Sequence, residues 1–552
     1  MNFDFDFDFV VIGSGFGGSV MSCRLSEKGY SVALLERGQQ YGMHEFPRRL
    51  HEIKEKLFWD PEDKKYGFME IRDYADNDLM SVTASGLGGG SLIYANVLMP
   101  MDPESFHGWP GGITRQTLAP YYDKALQMLE AEPYPQDSDP YFEGTPKTQM
   151  FKKISQELKT ADDALEPPEF IYPHLAVRFK GAFPGEQSLN AQGVIQSKCN
   201  KCGECDIGCN IHAKNTLDLN YIQRARSEKP GGQKAQVFTH ALVESLRALE
   251  PEGYEVIYID PKNPAKKTIL KAKKVILSAG SLGSTTLLLK MKKQGHLKNL
   301  STRLGYGWCG NGDLEGTVLN TPHDNVPTMG PVITGAIKYK FQPYPDGFAH
   351  SCYIQDAGFP VGLSWYLSGK VPNPESILHL IQLGWHFLKT YLKKKLRLKN
   401  SVIEINVGDE FSKALDRDRF VRKSFMLLGM GRDRSDGQIT LREDDEPIIN
   451  WSLKGSQLHY DRVRREMKQI AQKMQGEFAD NPLTHLNKII AVHPIGGCCM
   501  GESPSEGVVS PHGEVFGHPG LYVVDASIIP TSLGPNPSLT IAALAEYIAD
   551  HI

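Results

Sequence analysis

Several things are missing from this sequence. No run of about 18 to 20 uncharged apolar residues occurs, so no membrane-spanning helix is expected. Met1 to Phe9 alternates Phe with Asp and carries no basic segment ahead of an apolar one, so export through a cleaved leader is not expected. Charge of one sign is not in excess either. Against 65 Asp and Glu stand 61 Lys and Arg, a formal net charge of −4 that supplies no global attraction for nucleic acid. Cysteine is limited to nine residues, and four of them crowd between Cys199 and Cys209. That crowding suits metal ligation in a reducing compartment better than a disulfide framework. The expectation is therefore a cytoplasmic protein. At 552 residues and 40% hydrophobic content it should hold two or more domains.

What is present in excess is glycine, at 53 residues, gathered in a few short stretches. Phe9 to Ile12 reads as a buried strand, and Gly13-Ser14-Gly15-Phe16-Gly17-Gly18 follows it. A helical stretch, Ser19 to Lys28, comes next, and a second strand, Ser31 to Leu35, ends at Glu36. This is GxGxxG in its strand-turn-helix context. Gly13 would make the tight turn, Gly15 would let the backbone approach a pyrophosphate at the helix N-terminus, and Gly18 would permit close packing of helix on strand. Glu36 would bind a ribose hydroxyl pair. The motif alone does not separate FAD from NAD. Val275 to Gly280 repeats the strand with small residues at its end, ahead of a helix through Leu289. Gly520 to Ser527 repeats it again, ahead of a final helix, Thr540 to Ile548. A nucleotide-binding sheet built from both ends and the middle of the chain implies a second domain inserted between them.

Several blocks, in order along the whole chain, resemble the glucose-methanol-choline (GMC) oxidoreductase family and its cholesterol oxidase-like branch. They are the N-terminal fingerprint, Gly86-Leu87-Gly88-Gly89-Gly90-Ser91-Leu92, Ala279 to Ser284, Gln294 to Leu300 and Gly305-Tyr306-Gly307-Trp308. His493-Pro494-Ile495-Gly496-Gly497, Asp525 to Pro530 and Gly534-Pro535-Asn536-Pro537 complete the set. The resemblance implies an α/β fold. A discontinuous Rossmann-like domain binding non-covalent FAD would take residues 1–45, 236–316 and 486–552, with 82–96 also touching FAD. A substrate domain with a mixed or antiparallel sheet and helices would take 46–235 and 317–485. It further implies that Gly88, Gly89, Gly90 and Ser91 form a loop against the flavin, that Val243 meets adenine through its backbone, and that Gly280, Asp525, Asn536 and Pro537 contact the cofactor. His493 matches the family's catalytic histidine and Asn536 its asparagine, the pair that handles the hydroxyl proton while hydride passes to flavin N5. Gln355 stands where steroid-isomerising relatives carry a glutamate proton shuttle. An amide cannot exchange a proton near neutral pH, so isomerisation is not expected, with Glu404 and Glu410 as alternative carboxyls.

Cys199, Cys202, Cys205 and Cys209 read C-x2-C-x2-C-x3-C, the ligand run of bacterial ferredoxins, although Asn210 stands where a proline usually follows. The expectation is a [4Fe–4S] or [3Fe–4S] cluster serving as an electron exit from FAD, with zinc or unligated thiols as the competing readings. Between Pro374 and Asn400 (374–400) the chain reads as a helix with an apolar stripe that includes Ile377, Ile381, Trp385, Leu388, Leu392 and Leu396. A basic face ends in Lys389, Lys393 and Arg397, and no acidic residue occurs from Ser376 to Asn400. It suits either an anionic membrane interface, making the protein peripheral on the inner face of a membrane, or a core helix with a solvated basic end.

The function these features imply is FAD-dependent oxidation of a hydrophobic alcohol, such as a sterol or long-chain alcohol, to the carbonyl. The acceptor would be a quinone, a cytochrome or O2. A cholesterol oxidase releasing peroxide, with or without steroid isomerisation, and a non-catalytic flavin electron-transfer protein are the alternatives. Nucleic acid is not expected as a partner.

Overall fold

The computed structural model describes residues 4–74, 79–360, 422–481 and 488–552. The basic segment 374–400, Glu404 and Glu410 lie outside the described residues. Among the described residues no helix is long and apolar enough to cross a membrane.

Phe7–Ile12 is almost uninterruptedly apolar because it lies inside a parallel sheet covered on both faces. It pairs in parallel with Val32–Leu35 on one side and with the end of the long strand Asn263–Leu277 on the other. Gln236–Phe238 extends the sheet beyond Val32–Leu35, and Leu521–Val523 extends it beyond Val275–Leu277, again in parallel. Strands from both ends of the chain and from its middle thus share one sheet. The first half of the long strand turns away into an antiparallel flap with Tyr254–Asp260 and Leu242–Ala248.

Helix Phe16–Glu27 begins three residues earlier than its apolar pattern suggested, because Gly15 already occupies the N-cap. It packs against the final helix, Ser538–His551, which also meets Arg115–Met128. The buried Glu546 ties this packing, accepting 2.7 Å hydrogen bonds from Arg24 Nε and Nη2 and a 2.8 Å bond from the Tyr221 hydroxyl.

A second sheet of six strands runs in the order Glu477–Asp480, Leu314–Leu319, Phe425–Gly431, His350–Ala357, Ala336–Phe341, Glu169–Ile171. Every pairing in it is antiparallel. Side chains alternate between its faces. Leu314, Leu427 and Ile354 join Val463, Met467 and Ile470 of helix Gln457–Lys473 in one apolar cluster. Tyr353, Leu428 and Met430 point the other way, into a cluster with Met99, Ile333 and Cys199. Glycines admit the helix: a Cβ at Gly429 would lie 2.5 Å from Val463, and one at Gly316 3.1 Å from the Met467 sulfur.

Candidate active site

The first turn of the chain forms where strand Phe7–Ile12 meets helix Phe16–Glu27. Gly13 adopts φ +96°, and a Cβ there would lie 2.4 Å from the Ser278 carbonyl oxygen. Gly18 packs on the Gly13 carbonyl. Gly17, which the motif leaves unspecified, makes the closest approach of helix to strand, since its Cβ would sit 1.7 Å from the Val524 carbonyl oxygen. Gly15 is different: nothing lies within 4 Å of a Cβ placed there, and no side chain caps the helix at this end. Gly90 and Gly280 face open space in the same way, while a Cβ on Gly89 would meet the Gly15 Cα at 2.7 Å. Two glycine turns therefore meet beside an uncapped helix N-terminus, the arrangement that receives a pyrophosphate. Ser91 supports its own turn, donating to the Gly88 carbonyl at 2.7 Å and accepting from Leu217 N at 3.0 Å.

Glu36 ends strand Val32–Leu35 in the predicted place, but protein donors occupy it. Its two oxygens accept from Gly38 N at 2.9 Å, Gly86 N at 3.0 Å, Ser14 N at 3.2 Å and the Ser14 hydroxyl at 2.5 Å. Four donors match the four acceptor positions of a carboxylate. In this arrangement Glu36 joins the fingerprint turn to the Gly86–Ser91 loop. Ser14 Oγ also lies 3.3 Å from the Gly86 carbonyl, so a ribose hydroxyl can take its place on Glu36. Asp525 is likewise saturated, by Gly280 N, Ser284 Oγ, Ser527 N and Ser527 Oγ. Val243 lies at an irregularity in the antiparallel flap, where pairing shifts before Ser245. Pro537 caps helix Ser538–His551.

Sequence reasoning missed Asp218. It is buried beside Gly88, its Oδ1 lies 3.4 Å from where a Gly88 Cβ would be, and that oxygen has no hydrogen-bond partner. Burial pushes its carboxyl up to about 6. An open cradle of glycines, an uncapped helix end and a buried acid with one unpartnered oxygen beside them are what a bound dinucleotide would complete, so these residues fit FAD.

His493 follows strand Ile489–Ala491 and sits partly buried. Its Nδ1 lies 2.7 Å from Asp313 Oδ1, and Asp313 Oδ2 accepts from Val492 N at 2.8 Å and His493 N at 3.0 Å. A carboxylate acceptor assigns the proton to Nδ1, which makes Nε2 the acceptor. Asn536 accepts from Gln355 Nε2 at 2.7 Å through its Oδ1. Two residues before Asp313, Asn311 donates to the Pro535 carbonyl at 3.0 Å and accepts from Leu533 N and Gly534 N. The three-residue turn Asn311-Gly312-Asp313 thus holds the loops of both His493 and Asn536. Neither Asp313 nor Asn311 carried a spacing signal. Gln355 is fully buried in the face of the six-stranded sheet that holds Leu428, and its Oε1 has no partner.

The four cysteines were expected to ligate a cluster, and the structure lends that expectation no support. Among the described residues no group of three or more His, Cys, Asp or Glu side chains is placed to hold a metal ion. Cys199 is buried in the apolar cluster with Tyr353 and Met430, and Cys205 and Cys209 pack against the same cluster. Burial pushes the thiols of Cys199, Cys202 and Cys205 upward, toward the protonated form. Lys214 pins this loop to the glycine loop by donating to the carbonyls of Leu92, Tyr94 and Cys205. The C-x2-C-x2-C-x3-C spacing forms no metal-ion site among the described residues, and the expected iron–sulfur cluster is not supported.

Two family signatures match the chain, both described as GMC oxidoreductase, over residues 7–292 and 433–545. A cholesterol oxidase of Acinetobacter baumannii is 29% identical, the match covering 100% of this chain and 95% of that one. A cholesterol oxidase of Mycobacterium tuberculosis is also 29% identical, covering 98% and 90%. A 2-methyl-1,2-propanediol dehydrogenase of Mycolicibacterium austroafricanum is 24% identical, covering 98% and 94%. Among solved structures, pyridoxine 4-oxidase from Mesorbium loti shares the fold at TM-score 0.59 and 15% identity, covering 99% of this chain and 98% of that one.

Proposed function

The chain belongs to the GMC oxidoreductase family, FAD-dependent oxidoreductases that act on alcohols, and from that premise we propose that it oxidises a hydrophobic alcohol, a sterol or a long-chain alcohol, with His493 as acid/base. The observation that carries this reading is the grip of Asp313 on His493, at the ring Nδ1 and at the backbone N together. It directs Nε2 to accept the alcohol proton. Asn536, with Oδ1 engaged by Gln355, offers Nδ2 as a donor to the alcohol oxygen as charge develops there. The glycines at 13, 15, 18, 88, 89 and 90, with Glu36, Gly280 and Pro537, would hold FAD, Asp525 would fix the Gly280 turn beneath it, and Val243 would meet its adenine. When bound, FAD supplies the two-electron acceptor for the alcohol carbon.

The two relatives named as cholesterol oxidases support a hydrophobic substrate. The reading contains no iron–sulfur step, and the relatives named as cholesterol oxidases support O2 as the acceptor. The proposed overall reaction converts alcohol and O2 to carbonyl compound and hydrogen peroxide. In the test, His493→Ala should retain FAD while anaerobic bleaching of the flavin by cholesterol or 1-dodecanol in detergent micelles slows ~10²–10⁴-fold. Bleaching at the wild-type rate would refute the assignment.

A further inference from the structure

A chain of buried polar groups ends on the turn that holds the two loops of the active site. Arg462 Nη1 lies 3.0 Å from His350 Nδ1, His350 Nε2 lies 3.0 Å from His459 Nδ1, and His459 Nε2 lies 2.8 Å from the Gly312 carbonyl oxygen. A guanidinium only donates. His350 Nδ1 therefore accepts, so its Nε2 carries the proton and donates to His459 Nδ1. His459 in turn donates from Nε2 to Gly312. The Arg462 donor at one end and the Gly312 carbonyl at the other, which only accepts, require the same pair of tautomers. Asp163 anchors Arg462 in place, with its Oδ2 2.7 Å from Arg462 Nε.

Both rings stay neutral near neutral pH. Burial, with the neighbouring imidazole and Arg462 adding to it, holds His350 down to about 2, and burial holds His459 down to about 4. The groups bearing on the pair are Arg462, Arg464 and Arg465 from the helix and Arg432 from the strand end.

The backbone is shaped around His459. Gly312 adopts φ +66°, and a Cβ there would lie 2.3 Å from His459 Nε2; a Cβ on Gly431 would lie 2.6 Å from His459 Cε1. A phenylalanine would fill the same space. A buried pair of imidazoles is costly unless every polar atom is satisfied, and here each nitrogen has its partner. The end of the chain explains the choice: Gly312 lies between Asn311, which holds residues 533–535, and Asp313, which holds His493.

We propose that His459 and His350, oriented by Arg462, are positioning residues that lock the Asn311–Asp313 turn and thereby set His493 and Asn536 against the substrate. The inference rests on the reading of His493 as acid/base. Misplacing a reacting group by about 1 Å costs up to ~10²-fold in rate.

The test compares holoenzymes carrying His459→Phe, His459→Gln and Arg462→Met, with cholesterol and 1-dodecanol as probes and His493→Ala as reference. His459→Phe should slow flavin reduction about ten- to a hundredfold, with FAD content and substrate Kd unchanged and the pH profile of reduction displaced. His459→Gln, whose Nε2 can still donate to Gly312, should recover most of the rate. In Arg462→Met the donor to His350 Nδ1 is lost while the Gly312 carbonyl still requires Nε2–H on His459, so reduction should slow, but less than in His459→Phe. Spectra of 15N-histidine-labelled protein should show both rings as Nε2–H tautomers in wild type, and an Nδ1–H tautomer at either ring overturns the proposal, which keeps the test decisive if His459→Phe does not fold. A lowered thermal midpoint with wild-type rate and pH profile, or a His459→Gln variant no better than His459→Phe, overturns the proposal. If His493→Ala reduces its flavin normally, the acid/base reading fails; if only the relay variants behave as wild type, the relay alone fails.

Discussion

His493 owes its orientation to a carboxylate 180 positions away in the chain, and Asn536 owes its own to an amide 181 positions away. Gln355 is the more informative of these partners. Its Nε2 donates to Asn536, its Oε1 has no partner, and an amide at this place can hold a neighbour but cannot carry a proton. A sterol with a Δ5 double bond should accordingly be oxidised without the double bond migrating. Stopped-flow traces would show flavin bleaching with no conjugated-enone absorbance following at a comparable rate. Gln355→Glu should gain that absorbance, because a carboxyl can exchange protons and, when protonated, can still donate to Asn536. Enone appearing in wild type as fast as the flavin bleaches would place the shuttle elsewhere.

At the scale of elements, the glycines of the first turn separate by what lies over them. Gly17 presses helix Phe16–Glu27 against the backbone of the C-terminal strand region, where a Cβ would lie 1.7 Å from the Val524 carbonyl. A backbone atom cannot step aside as a side-chain tip can, so Gly17→Ala forces helix and strand apart, and overpacking of this kind costs roughly 1–3 kcal/mol or more. Its thermal midpoint should fall by several degrees with or without FAD. Gly15→Ala meets nothing within 4 Å at an ordinary φ of −67°. The apoprotein should unfold at the wild-type temperature, while titration by flavin fluorescence should show FAD bound at least about tenfold more weakly, the methyl group standing where the pyrophosphate approaches. Equal FAD affinity in Gly15→Ala would remove the pyrophosphate from this turn.

Across the whole molecule, burial leaves several acids holding protons that the unfolded chain would release. Asp206 and Asp218 are pushed up to about 6, Glu315 to about 7 with the Asp313 charge adding to burial, and Asp433 to about 8. Between about pH 6.5 and 8 the folded state therefore binds more protons than the unfolded state, and stability falls as pH rises. On the other side, His350 and His459 resist protonation in the fold, so stability is lost as pH drops below the ordinary histidine value of about 6.5. Thermal midpoints should fall from about pH 6.5 to 8.5, where the acids still act and the histidines no longer do. Asp433 tests the alkaline limb. Its Oδ2 accepts from Gly310 N at 3.1 Å and its Oδ1 has no partner, so Asp433→Asn keeps an acceptor and loses the charge. The variant should show a flatter decline from pH 6.5 to 8.5; an unchanged slope would mean that Asp433 does not hold its proton in the fold.

The dinucleotide turn was legible without coordinates because its parts are local. Strand, glycines, helix and the acid at Glu36 lie within about thirty residues, and each part constrains the next through backbone sterics alone. The repeated strand motifs at Val275 and Leu521 announced the parallel sheet for the same reason. Gly17 shows where that reading stopped, because its demand comes from a strand more than five hundred residues away. Asp313, Asn311 and the Arg462–His350–His459 chain were invisible because their partners are chosen by register across an antiparallel sheet and by the glycines that let one helix approach it. The cysteines mark the limit from the other direction. Their spacing was complete in the sequence, yet spacing fixes only how far apart the residues stand along the chain. The packing of the Cys199–Cys209 loop between Lys214 and the apolar face of the sheet decides how far the thiols are buried.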